Sequence, residues 1–456
     1  MRLQICFVVV TCVALLAGTL HFFLLLPSLQ FGRTSYLPCT PFDLANYATE
    51  GESEIVVTQR INQLIEDYQA FHACSIKTML GMSHANFVVY EAVDGLGNRM
   101  RGLSSAFLVA LMTGRVLLVD WNADEASYAS LSDLVVAPVD WESRGVHDVA
   151  IRAVVQRLWS ALRNRQVGSE FSFLPHSSLL CHDFRGVSTR VIWLRTNQYL
   201  VPHLLGNPHH ASLLEAVFHG HYFNAVFDHL FVPSEAVIAH MEDIVPPSEI
   251  PSLHWGLHLR VPTYEVRDNK SILVYIDGVK VALREEEKEE KEEKEGQHSG
   301  GLFIAADSEE NAERLATELT RVSPELAGRI YIDRTVVDRK SVTGVQRAFA
   351  GMLLLRQCHH LVVSTNIQFQ RTSSFGMLSH SGIQEDGYWM VNLGGGEPGV
   401  FKVASSEPDR FEPNATFRLC SLCQPELLAP DSMQCKDPDF LNVYSLAQIS
   451  PRSAES

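Results

Sequence analysis

Positive charge is in short supply in this chain. Its 37 Lys and Arg stand against 53 Asp and Glu, a formal net charge of −16, and such a surface disfavours nonspecific nucleic-acid binding. A zinc site lacks its second half. Cys420-x-x-Cys423 has neither a second CxxC nor a close His pair, so with Cys435 it reads as part of a disulfide cluster before it reads as a metal centre. Seven cysteines lie outside the first apolar run, which leaves one unpaired. A second long apolar run is also missing. Ile5–Leu26, 22 residues, is the one segment long enough to cross a ~30 Å hydrocarbon core. A cleaved signal peptide is its rival, but an h-region is shorter and no small-x-small site follows cleanly after Leu26. Arg2 ahead of the run favours a short cytoplasmic tail, although Arg33 weakens the charge asymmetry. The expectation is a single-pass type II signal anchor with the body of the chain on the far side.

The chain's 456 residues, 46% of them hydrophobic, exceed what one core usually fills, so two domains are expected. Residues 1–4 read as a tail, 5–26 as the anchor, 27–50 as a stem, 51–245 and 246–440 as the two domains and 441–456 as a second tail. Pro246, Pro247 and Pro251 mark the boundary. Between Glu285 and Glu295 eight Glu outnumber three Lys. Like charges repel and bury little apolar surface, so 285–299 is expected to be a disordered, solvated insertion. Asn269 and Asn414 head glycosylation sequons, in keeping with a luminal body.

The richest stretch runs from Phe87 to Asp120. Apolar Phe87–Tyr90 predicts a strand, Gly95-Leu96-Gly97-Asn98-Arg99 a turn, Met100–Met112 a helix and Val116–Val119 a second buried strand. Paired glycines let backbone N–H groups approach an anion, and Arg99 adds a cation suited to phosphate. Upstream, Val56, Ile61, Leu64, Ile65 and Tyr68 recur at helical spacing within Ile55–Ala73 and predict a packing face. The helices expected between Trp121 and Val187 carry no readable chemistry. A strand begins at Val191, in a segment that a proline ends at Pro202.

The second half begins with an apolar strand, Trp255–Leu259, that ends in Arg260. Strand ends of open α/β sheets collect ligands, and a planar guanidinium can meet two phosphate oxygens while staying protonated. A buried strand, Leu302–Ala306, leads into Asp307-Ser308 and a helix from Glu309 to about Val322, and Asp307 with Glu310 is also an ordinary capping box. A helix over Gly344–Arg356 and a strand over Leu361–Ser364 follow. Ser373-Ser374-Phe375-Gly376 then opens another helix, whose hydroxyls and N–H groups suit an anion. Gln346 reads by default as an exposed helical side chain.

In this order the motifs resemble those of the fucosyltransferases of the plant cell-wall type. Gly95–Arg99 and Thr113–Asp120 resemble the family's first β-α-β unit, and Asn197, Tyr199, Val201 and Pro202 match its "SNxYFVPxL" block. Phe227–Pro233 resembles "YLFHP", Asp307-Ser308 the end of "VASDS", and Ser373–Gly376 the end of "VTSAWSTFG", with several residues, Asn366–Arg371, inserted before the serines. His258-Leu259-Arg260-Val261 keeps one arginine, as "GIQIRVF" does, where the α1,2 and α1,6 enzymes of animals and bacteria carry "HxRR". The resemblance implies an α/β, GT-B-like protein: two Rossmann-like domains facing a cleft behind an N-terminal transmembrane helix, in the Golgi membrane. The first domain would take the acceptor and the second GDP-fucose.

The implied reaction inverts the anomeric carbon, moving L-fucose from GDP-fucose to a glycan hydroxyl, with a cell-wall or surface polysaccharide galactose (α1,2) as the expected acceptor. Donor contacts fall to Gly97, Asn98, Arg99, His258, Arg260, Asp307, Ser308, Ser373, Ser374 and Phe375. Arg260 offsets leaving-group charge. The base is open among Glu265, Asp268, His258 and Asp120. No Asp-x-Asp metal motif is evident at a strand end, so neither cofactor nor metal is expected. A protein O-fucosyltransferase-like enzyme and an inert, membrane-tethered glycan-binding protein are the alternatives.

Overall fold

A computed structural model describes residues 39–48, 54–77, 84–136 (except 122, 125 and 126), 183–187 and 191–260 (except 197–199, 202–203, 205–206 and 220–221). Beyond these it describes 270–293, 300–366 (except 334–337), 371–372, 388–393 and 400–402. The anchor Ile5–Leu26, Asn269, Asn414 and the Cys420–Cys435 cluster lie outside the described residues. Among those described, no helix is long and apolar enough to cross a membrane.

In chain order the helices are α1 (Glu54–Lys77), α2 (Leu96–Thr113), α3 (Leu131–Leu134), α4 (Ala211–Phe218), α5 (Tyr222–Leu230), α6 (Glu235–Ile244), α7 (Lys270–Glu293), α8 (Glu309–Val322) and α9 (Val342–Gln357). The strands are β1 (Phe87–Ala92), β2 (Val116–Asp120), β3 (Val191–Thr196), β4 (Leu253–Leu259), β5 (Gly301–Ala306), β6 (Ile330–Ile332), β7 (His360–Asn366), β8 (Arg371–Thr372), β9 (Tyr388–Asn392) and β10 (Val400–Lys402). They form two sheets. The first is parallel, in the order β2-β1-β3. The second runs β10-β9-β7-β4-β5-β6, parallel from β9 to β6, with β10 antiparallel at one edge and β8 antiparallel on β7.

In the second sheet the chain builds outward from β4 through β5 to β6, then crosses by α9 to β7 on the other side of β4. The direction of winding therefore reverses between β4 and β7. In an open α/β sheet that reversal leaves a crevice at the carboxyl ends of the two strands.

Period-2 burial follows from the pleat. Val88 and Tyr90 of β1 enter the main core, while Phe87 and Val89 enter a smaller cluster on the opposite face. Phe303 of β5 likewise joins the main core, and Leu302 and Ile304 join one beneath α7 and α8. The main core takes residues from both sheets, α2, α6 and α9, and one compact unit begins at Pro41.

Helix α2 is buried on nearly every side, as an apolar helix within a β-α-β unit must be. It ends at Gly114, whose φ of 59° lets its N–H reach back to the Ala110 and Leu111 carbonyls. A Cβ at Gly102 would overlap the Tyr90 hydroxyl, so the glycine sets how closely α2 lies on β1. On α1, Ile61, Leu64, Ile65 and Tyr68 are buried as expected, but Val57 is the inward valine and Val56 is exposed. The Tyr68 hydroxyl donates to the Arg115 carbonyl at 2.9 Å and accepts the Leu117 N–H at 3.0 Å, fastening α1 to β2.

The acidic tract departs from expectation. Through Glu293 it continues α7 as helix where a disordered insertion was expected. Glu and Lys are strong helix formers, so helix propensity outweighs the like-charge repulsion. Of the described cysteines, Cys39 and Cys74 are disulfide-bonded and Cys358 is a buried free thiol.

Candidate functional site

The reversal between β4 and β7 opens onto a cleft of about 340 Å³. From the first half, Gly95 to Asn98 at the amino end of α2 and Ser127 line it. From the second half, His258 and Arg260 end β4, Ala305, Ala306 and Asp307 end β5, Asp333 follows β6, and Arg339, Arg347 and neighbouring positions of α9 complete the wall. Arg260, His258, Asp307, Gly97 and Asn98 are thus brought together in one cleft.

Arg260 is exposed to the cleft while its backbone is held firmly. Its N–H donates to Ser364 Oγ at 2.8 Å, and Ser364 Oγ in turn donates to the Arg260 carbonyl at 3.2 Å. Ser364 is buried on β7. On the other side of β4 the Asp307 N–H donates to the Leu259 carbonyl at 3.3 Å. The end of β4 is therefore pinned through its backbone from both neighbouring strands, which fixes where the Arg260 side chain leaves the sheet. His258, just before it, is buried, and burial followed by the Arg260 charge pushes its pKa down to about 3. It is neutral near pH 7, so it can offer a hydrogen bond but no positive charge to an anion.

Two expected donor contacts have other employment. Arg99 is fully buried. Its Nε donates to the Asp94 carbonyl at 2.7 Å, its guanidinium pairs with Asp124 at 2.6 Å, and it lies over the Trp121 ring. A guanidinium in those contacts braces the loop after β2, and Arg99 is absent from the cleft lining. Ser308 is the N-cap of α8, accepting the Asn311 N–H. The cap proposed for Asp307 belongs to its neighbour, and Asp307 lines the cleft instead. The turn before α2 is shorter than read, because the helix begins at Leu96 and takes in Gly97, Asn98 and Arg99. The left-handed residue is Asp94, at φ 65°, while Gly95 is the extended N-cap. Asp tolerates that region, so Gly95 serves by presenting bare backbone to the cleft.

Sequence reasoning missed Asp333, Arg347 and Ser364. Arg347 Nε and Nη2 donate to Asp333 Oδ1 at 3.2 and 2.9 Å, and Nη1 to Asp243 of α6 at 2.6 Å. Burial works to lower the Arg347 pKa, but the hydrogen bonds to Asp243 and Asp333 prevail and raise it. The cation is thereby committed to two carboxylates and ties α6 to β6. Gln346 is buried rather than exposed, and its amide donates to the Asp133 carbonyl at 2.9 Å, joining α9 to the first half. Ser364 was findable as a position, at the end of the strand expected over Leu361–Ser364, although its pairing with Arg260 was not. Asp120, weighed as a base, is buried at the end of β2 and does not line the cleft. Glu265, Asp268, Ser373, Ser374 and Phe375 lie outside the described residues.

Residues 68–139 match the xyloglucan fucosyltransferase family model. The galactoside 2-alpha-L-fucosyltransferase of Arabidopsis thaliana is 32% identical over 144 residues, covering 27% of this chain and 25% of that protein. Fucosyltransferase 6 of the same plant is 29% identical over 177 residues, 30% of each. The chain spans 25% to 33% of the length of the curated relatives it matches. A solved structure of a mutant of Arabidopsis thaliana FUT1 in complex with GDP superposes with a TM-score of 0.51 at 19% identity, over 81% of this chain and 89% of that one. The two share the GT-B-like fold.

Proposed function

We propose that this chain, a relative of the plant xyloglucan-type fucosyltransferases through residues 68–139, is an inverting glycosyltransferase that moves L-fucose from GDP-fucose to a glycan hydroxyl. The observation that carries the reading is the placement of Arg260. It stands exposed at the crevice between β4 and β7, its backbone locked by buried Ser364. Departure of GDP builds negative charge on the β-phosphate, and a preorganised guanidinium stabilises that charge without having to reorganise. Asp307, at the end of the adjacent β5, is placed to accept hydrogen bonds from the ribose or base. The first half supplies the facing wall, where the attacking hydroxyl approaches the anomeric carbon opposite the leaving group. Neutral His258 is a poor base at its depressed pKa, which leaves the proton to a carboxylate, Glu265 or Asp268, or to a dissociative, oxocarbenium-like transition state that needs no dedicated base.

The finer reading is a terminal galactose of a cell-wall or surface polysaccharide, fucosylated α1,2. The name of one relative, a galactoside 2-alpha-L-fucosyltransferase, supports it. A single-pass Golgi arrangement rests on the Ile5–Leu26 sequence, and independence of metal rests on the strand-end motifs. Hydrolysis of the donor tests the core of the proposal. Incubated with GDP-fucose alone, the full chain should release GDP slowly, and EDTA should leave the rate unchanged. No release above the uncatalysed rate would favour an inert glycan-binding protein.

A further inference from the structure

The first-half wall of the cleft carries a hydroxyl with no partner. Ser127 lines the cleft and is 1% exposed, yet its Oγ has no hydrogen-bond partner among the described residues. Buried hydroxyls in folded proteins are nearly always satisfied, and one that is not calls for a reason. Serine both donates and accepts, which is the complement of a sugar hydroxyl.

The backbone at this position is firmly set. The Ser127 N–H donates to the Asp124 carbonyl at 3.1 Å and to its carboxylate at 3.2 Å, and the Asp124 N–H returns a bond to the Ser127 carbonyl at 3.1 Å. The same carboxylate is gripped by buried Arg99. Trp121 Nε1 donates to the Ala129 carbonyl at 3.2 Å, closing the loop from beneath. Tyr128 comes next. Its N–H donates to the carbonyl of Arg339, which lines the cleft from the other half, at 3.1 Å. The residue is 53% exposed although Ala129 and Leu131 just beyond it are buried. Ser127 lines the cleft and Tyr128 does not, but an aromatic side chain kept in solvent on a fixed backbone, one position on from an unspent hydroxyl, offers a pyranose two kinds of contact, C–H face to ring and hydroxyl to hydroxyl.

We infer that Ser127 and Tyr128 form a recognition subsite for a sugar of the acceptor glycan. This rests on the fucosyltransferase reading, because the acceptor is assigned to this wall by the donor's place at the ends of β4, β5 and β6. Arg99 then has a role the sequence did not suggest. Through Asp124 it positions the loop that meets the acceptor.

The test separates KM for acceptor from KM for donor, with GDP-fucose and a galactose-terminated xyloglucan oligosaccharide as the probes. Ser127→Ala should raise the acceptor KM about tenfold and move the GDP-fucose KM less than about twofold. Its melting temperature should stay level or rise, since a buried unsatisfied hydroxyl is removed. Tyr128→Ala should raise the acceptor KM by about the same factor, and Tyr128→Phe should restore it, because the ring and not the phenol is needed. An unchanged acceptor KM in both Ser127→Ala and Tyr128→Ala overturns the inference, as does a rise confined to the donor KM, which would give Ser127 to the fucosyl group. Absence of GDP release by the wild-type chain would instead sink the fucosyltransferase reading itself.

Discussion

Replacing Arg260 by Lys is expected to cut turnover of GDP-fucose by about 10²-fold or more, equivalent to about 2.7 kcal/mol of lost transition-state stabilisation. Lysine keeps one positive charge but presents it as a single point, without the planar fork that meets two phosphate oxygens. Folding should be little affected. The bonds that fix this position use the Arg260 backbone and the Ser364 hydroxyl, and those survive a side-chain change at an exposed site. kcat at saturating donor, measured beside the melting temperature, checks both halves of the expectation. Near-normal turnover would mean that leaving-group charge is met elsewhere.

Acidification from pH 7 to pH 5 should destabilise the fold by about 2 kcal/mol for each of two buried histidines. Burial pushes His72 down to about 4 against a hydrogen bond to the Leu117 carbonyl, and burial and Arg260 push His258 to about 3. In the unfolded chain both titrate near 6.5. Between these values the unfolded state binds more protons, so stability falls as pH drops through 6.5 and is fully present above it. His229 is lowered too, chiefly by burial, and acts in the same direction. Denaturant unfolding at the two pH values measures the loss. His72→Gln, which can still donate to the Leu117 carbonyl, should remove about half of it. A flat profile between pH 7 and 5 would show that both imidazoles reach water, and half the loss that one does.

The β-α-β unit from Phe87 to Asp120 was legible because burial dictates its pattern directly: two short apolar strands and a helix that is apolar on most faces. Asp307 was legible for the same reason, as the first polar residue after a fully apolar strand, and Arg260 as the first charged residue after a strand that is apolar but for His254 and His258. What stayed hidden depends on pairings that sequence spacing does not encode. Ser364 meets Arg260 across 104 positions, and Gln346 meets Asp133 across 213. Arg99 was misread because a cation beside glycines suits an anion equally well in solvent or in the core, and only the loop around Asp124 decides between them. Val56 and Val57 are adjacent on α1, and a stripe read by spacing alone cannot say which one turns inward. In the acidic tract, net charge suggested disorder while the alternation of Glu and Lys favoured helix.

The central claim is that the ends of β4, β5 and β6 hold a guanosine diphosphate. It is tested most directly by thermal unfolding of the detergent-solubilised full chain with nucleotides. A ligand that binds only the folded state, at about 100 times its Kd, stabilises that state by about 2.7 kcal/mol. The account predicts an upward shift of several degrees with GDP and GDP-fucose and little with UDP or CMP. Equal shifts with all four, or none with GDP, would contradict it.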